Sequence, residues 1–246
     1  MRQFLSLSTF HLKLFARNGY FVSTMLTSTL GMLLLQYVIA YAANTLSDPF
    51  LWVRAGIFGL WSCAVTAAGA IGFQRFQGTL PYLLNNAVSD AVSLAALLMP
   101  CSAFGLLAFP FSFAVSALLG MNVTIHLPQM IAVVMLWLGA LVLDFAIAAF
   151  FVLTPNALVY EELILIPFML VGGLLEAPGH WQTVIEWFGW VLPISAPIRI
   201  LLSGEMRLIL LVQFLFSMVL CFAFALVIAR SLLKKARVDG TMGVIS

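Results

Sequence analysis

The sequence predicts an all-α, polytopic membrane protein. Three observations carry that prediction. The chain is 63% hydrophobic and 8% charged, with a mean hydropathy of +1.12, where a soluble domain carries roughly 25% charged residues. Residues 18–47, 55–74 and 208–229 carry no charge at all, and a helix crossing the hydrocarbon core needs about 20 apolar residues. These runs are continuous, whereas barrel strands alternate apolar with polar side chains, and lipid leaves only helices and closed barrels as spanning structures. Eleven basic and nine acidic residues cannot coat a soluble globule of 246 residues. A soluble enzyme, a disordered chain and a nucleic-acid binder are therefore excluded, and a net charge of +2 points to no polyanionic partner.

Six spans follow in order, near residues 20–45, 52–73, 95–119, 130–153, 158–175 and 208–230. The charge-free window 91–143 is divided by Gly120-Met121-Asn122 and by His126, Pro128 and Gln129, which read as a loop. Pro100, Pro110 and Pro167 fall in or near spans, where neighbouring helices absorb kinks. With the N-terminus inside, eight basic residues (Arg2, Lys13, Arg17, Arg75, Arg230, Lys234, Lys235, Arg237) face the cytoplasm and three (Arg54, Arg199, Arg207) face out. The positive-inside rule selects this topology. Six spans return the C-terminus to the cytoplasm, in the cell inner (plasma) membrane.

Three segments do not span. Within residues 1–19, Phe4, Leu7, Phe10, Leu14 and Phe15 share one helical face and Arg2, Ser6, Thr9, Lys13 and Arg17 the other. This is the pattern of a helix lying in the membrane interface; a partly ordered basic leader is the alternative. In residues 74–90, on the cytoplasmic side, Gly78 ends a helix, Thr79 can cap a new one and Pro81 suits its first turn. Leu80, Leu83 and Leu84 make a small apolar face that wants a partner, unless this is an ordinary loop. Residues 176–207 hold Trp181, Trp187 and Trp190, and tryptophan favours the interface. Residues 184–192 are too short to span and too apolar for a solvated loop, so a re-entrant or interfacial helix is expected.

The run Arg75-Phe76-Gln77-Gly78-Thr79-Leu80-Pro81-Tyr82-Leu83-Leu84, followed by Ala87-Val88-Ser89, resembles the coupling segment of the membrane subunit of type-2 ATP-binding-cassette exporters. In that family a charged stretch precedes Gly-Thr-Leu-Glu-x-Leu-Leu and then Pro-Val-Ser. Pro81 and Ala87 depart from it, and only Arg75 remains of the charged lead-in. The resemblance continues through Gly172-Gly173, Pro178, Trp181, Leu192-Pro193, Pro197 and Arg199, similar to the family's outer re-entrant hairpin, and through the N-terminal interfacial helix. It covers nearly the whole chain as a single permease domain. It implies that Arg75, Gly78, Thr79, Leu80, Tyr82, Leu83, Leu84, Val88 and Ser89 dock a separate ATPase. It implies that Gly172, Gly173, Trp181, Pro193, Pro197 and Arg199 form an outer cap. It also implies a second permease, identical or related, with ATP and Mg held by the ATPase. Drugs, antimicrobial peptides or lipid-like molecules are the implied cargo.

The chain itself has no Gly-x-x-x-x-Gly-Lys-Ser/Thr motif. Leu202-Ser203-Gly204-Glu205 resembles a fragment of the cassette signature but lies on the outer side. Asp144 is the sole charge away from the ends of an expected span. It reads either as a pathway or helix-pairing carboxylate facing a dimer interior, or as a polar residue satisfied by a neighbouring helix; burial costs roughly 2.5–3.5 kcal/mol on insertion scales. Glu161 and Glu162 read as ATPase or N-terminal-helix contacts, or as a solvated helix start. Cys63, Cys101 and Cys221 are widely spaced, and His11, His126 and His180 fall on different sides, so neither set reads as a metal site. The rival functions are an ion-coupled secondary transporter, which would use repeats and buried ionisable groups, and an intramembrane enzyme, which would need convergent catalytic groups at bilayer depth.

Overall fold

The computed structural model describes residues 2–84, 89–154, 157–174, 179 and 181–238. Among these there are helices and no strand. In chain order they are α1 (Arg2–Asn18), α2 (Tyr20–Ala42), α3 (Leu51–Phe76), α4 (Leu80–Leu84), α5 (Asp90–Ala103), a 3-10 turn (Phe104–Leu107), α6 (Ala108–Leu118), α7 (Leu127–Phe151), α8 (Ala157–Val171), α9 (Trp181–Gly189), α10 (Ser195–Ser203) and α11 (Leu208–Val238). Among the described residues five helical stretches are long and apolar enough to cross a membrane: Tyr20–Ala42, Leu51–Phe76, Asp90–Leu118, Leu127–Phe151 and Leu208–Leu232. The expected span at 158–175 coincides with α8, a helix of 15 residues. At 1.5 Å per residue it is about 22 Å long, less than the hydrocarbon thickness of about 30 Å.

Helix boundaries follow local chemistry. Gly19, at φ 64°, takes the left-handed conformation that turns the chain from α1 into α2. The third membrane-length stretch is one continuous rod with a 3-10 turn inside it. Pro110 cannot donate to the Leu106 carbonyl, so the helix tightens just before it. The residues expected as loop at 126–129 instead start α7. His126 and Gln129 form a reciprocal capping box, with the His126 N–H donating to Gln129 Oε1 at 2.9 Å, and Pro128 sits in the first turn.

α3 is the hub. It is the most deeply buried of the membrane-length helices, and α2, α5, α6, α7 and α8 all pack on it. Its glycines allow the close approach that membrane helices depend on. A Cβ on Gly59 would fall 1.9 Å from Thr29 Oγ1 of α2. Trp61 of α3 is fully buried; its Nε1–H donates to the Leu165 carbonyl of α8 at 3.1 Å, and its ring stacks on Phe168. α10 lies against the first half of α7. The Pro193 carbonyl abuts Gly139, where a Cβ would meet it at 2.7 Å, and Gln129 Nε2 donates to the Leu201 carbonyl at 3.0 Å. Large apolar side chains project outward from α2 and α11, among them Leu35, Val38, Val219 and Phe222. That coat fits a membrane-embedded protein.

α1 packs on α5, and the apolar face expected for it divides. His11 and Phe15 turn inward and are buried, while Phe10 and Leu14 are exposed beside Lys13 and Arg17.

Candidate functional site

The corner between α3 and α5 holds the residues singled out from the sequence. α3 ends in a Schellman turn: Thr79 N–H donates to the Gln74 carbonyl at 2.9 Å and Gly78 N–H to the Arg75 carbonyl at 2.9 Å, with Gly78 at φ 70°. The Thr79 carbonyl accepts from Tyr82 and Leu83, starting α4, but its hydroxyl turns back to Gln74 Oε1 rather than capping that helix.

Two expectations change here. The apolar face of α4 already has its partner within this chain: Leu80 is fully buried and Leu83 nearly so, packed among the core residues. The surface left open consists of Phe76 and Tyr82, 83% and 79% exposed, with Gln77 and Thr79 between them. Arg75 is likewise turned inward. Its guanidinium donates to the Val152 and Thr154 carbonyls at the end of α7, and the side chain is buried. A cation there also suits the negative end of a helix. Ser89 is exposed and immediately precedes α5. Val88 and the side chain of Leu84 lie outside the described residues. The sequence could not reveal the Arg75 pairing, because its acceptors lie nearly eighty positions away.

Asp144 is fully enclosed within α7, near Cys63 of α3 and Cys101 of α5. Among the described residues neither carboxylate oxygen has a hydrogen-bond partner. It therefore faces its own chain's interior.

The outer segment forms two helices, α9 and α10. Gly172, at the end of α8, lies against Ile194 and Ile198. Pro193 and Pro197 are buried, and the Arg199 guanidinium lies against Gly189 at the end of α9. These residues are thus gathered at one junction of α8, α9 and α10. Gly173 follows in the turn after α8, and Trp181 stands apart, exposed at the far end of α9. Pro178 lies outside the described residues. The α9–α10 connection is held well along α11, where Cys221 Sγ meets the Val191 carbonyl at 3.1 Å.

Two features escaped the sequence reading. His11 is buried between aromatic rings with neither ring nitrogen partnered among the described residues, and burial lowers its pKa to about 4. Glu161 lies against α2 and α3, lining a groove with their hydroxyl side chains. Among the described residues no three His, Cys, Asp or Glu side chains gather as a metal site. No family model, curated protein or solved structure matches the chain.

Proposed function

We propose that this chain is the membrane subunit of an ATP-driven exporter of the type-2 ATP-binding-cassette kind. One observation carries the reading: a short helix joins two membrane-length helices, rooted by Leu80 and Leu83 and presenting Phe76 and Tyr82. Rigid attachment below and exposed aromatics above suit a lever that receives force from a partner. The ATPase is then a separate subunit, carrying ATP and Mg. It docks at the aromatic pair and at Thr79 and Ser89, while Arg75, Leu80 and Leu83 hold the lever to the spans. A second permease completes the cargo path. α8 serves as the sixth, shorter span. α1 lies in the cytoplasmic interface of the plasma membrane, with both termini inside. The α9–α10 pair is the outer re-entrant cap, supported by the depth at which Val191 and Pro193 meet α11 and α7. ATP binding favours one of two rigid-body arrangements and hydrolysis releases it.

The test is affinity purification of the chain from its native membrane, read for a co-purifying ATPase subunit. Tyr82→Ala with Phe76→Ala abolishes capture while leaving the thermal midpoint unchanged. Wild-type capture by the double variant refutes the docking assignment. The ion-coupled reading draws on the enclosed Asp144, unpartnered among the described residues. Export that survives ATP depletion and stops when the proton gradient is dissipated would select it.

A further inference from the structure

At one corner of the outer segment the end of α9 meets α10 and the start of α11. Gly189 is buried there, and a Cβ on it would stand 2.8 Å from Gln213 Nε2 of α11 and 3.1 Å from Arg199 Nη2 of α10. Two donors from different helices therefore close on one point. Gln213 is 2% exposed, and its Nε2 has no hydrogen-bond partner among the described residues. Ser195 stands one turn before Arg199 on the same face of α10. It is 1% exposed, and its hydroxyl has no partner among the described residues either. Buried polar groups are ordinarily hydrogen-bonded, so open donors beside a guanidinium call for an acceptor. No described residue supplies it. The Trp187 and Phe188 carbonyls at the end of α9 accept from Trp190, Val191 and Leu192. No hydrogen bond or ion pair to a described residue holds Arg199, which is half-buried and so within reach of the surface. Glu186, one turn back on α9, is exposed and makes no ion pair with it, and Glu205 pairs with Arg207.

We infer that this corner binds the phosphate of a phospholipid. A phosphodiester presents two charged oxygens, which suit the fork of Arg199 and the amide of Gln213. The surroundings favour a lipid over a free anion. Ile209, Val212 and Phe216 flank Gln213 along α11 and are exposed. The Trp190 ring meets Phe216 edge-on, with centroids 6.2 Å apart, and tryptophan favours the depth of lipid headgroups. Acyl chains lie along Val212, Phe216 and Val219, an apolar flank that an inorganic anion would leave unused. The bound lipid then ties the α9–α10 pair to α11 through its headgroup.

The inference takes from the transport reading only that this corner lies in the outer leaflet, and lipid binding is measured without any ATPase. The full chain in dodecyl maltoside is titrated with dioctanoylphosphatidylglycerol and with dioctanoylglycerol, which has the same acyl chains and no phosphate. Native mass spectrometry counts the bound molecules. Saturable binding of the phospholipid and none of the diacylglycerol is expected. Arg199→Met and Gln213→Leu each weaken it about tenfold, the loss of one charge-assisted hydrogen bond. Gly189→Ala keeps both donors but forces them apart, and it weakens binding similarly; thermal unfolding verifies the fold of each variant. Lys13→Gln with Arg17→Gln in α1 leaves binding intact. Equal binding of the two lipids, wild-type affinity in the folded corner variants, or loss of binding in the α1 variant overturns the site. Displacement of the phospholipid by millimolar inorganic phosphate overturns the lipid as its occupant. Phospholipid binding without any captured ATPase keeps the site and removes the exporter; ATPase capture without phospholipid binding does the reverse.

Discussion

Replacing Arg75 separates an anchor from a docking residue. In the structure its guanidinium closes two carbonyls at the end of α7, Val152 and Thr154, from a buried position. Hydrogen bonds from a charged donor contribute about 1.5–3 kcal/mol each. The helix end adds a favourable field, while the buried Nε has no partner and offsets part of the gain. Arg75→Met keeps the bulk, removes both donors and leaves two carbonyls unpaired, so a loss of about 3 kcal/mol is expected. For a chain of this length that lowers the unfolding midpoint by about 6–12 °C. Arg75→Lys reaches one carbonyl and loses about half as much. The assay is thermal unfolding with a thiol-reactive fluorophore, because Cys63 and Cys101 are buried and free and react only once the helices separate. An unchanged midpoint together with loss of ATPase capture would refute the anchoring argument and return Arg75 to the docking surface.

Other expectations are sharper for being local. His11 is neutral in the folded chain because burial lowers its pKa to about 4 from 6.5. The unfolded state therefore binds the extra proton first, and the contribution of neutral His11 is complete above pH 6.5 and lost as pH falls toward 4. Hydrogen exchange of α1 should rise over that window, and His11→Phe should flatten the response. Gly59→Ala drives a methyl into Thr29 and costs about 1–3 kcal/mol. Thr29→Ala should recover part of that loss in a double-mutant cycle read by thermal unfolding, and purely additive losses would deny the contact.

Much of the architecture could be read from hydropathy alone, because the spans are set by a local property, the length of charge-free sequence. Tyr20–Ala42 and Leu208–Val238 begin where charge-free composition placed them. What was not legible depends on partners distant in sequence. Nothing around Leu80 and Leu83 distinguishes a face seeking a foreign subunit from one seeking α3 and α5. Ser195, Arg199 and Ser203 recur on one face of α10, so the helix is amphipathic; its burial against α7 and α11 was not legible because it depends on partners distant in sequence. The stripe Tyr20, Thr24, Ser28 was present at helical spacing, but only the packing of α2 on α3 set it opposite Ser62 and Thr66.

The central position of α3 bears on how the protein is made. It leaves the ribosome second among the membrane-length helices, yet α5, α7 and α8, which cover it, are synthesised later. During that interval Gly56 and Trp61 face lipid or a membrane chaperone in place of Phe109 and Leu165. The indole of Trp61 meets its acceptor only when Leu165 has been translated. A nascent chain cut short before α8 therefore holds its hub unfinished, and quality-control proteases should remove it sooner than a chain lacking only the segment after α11.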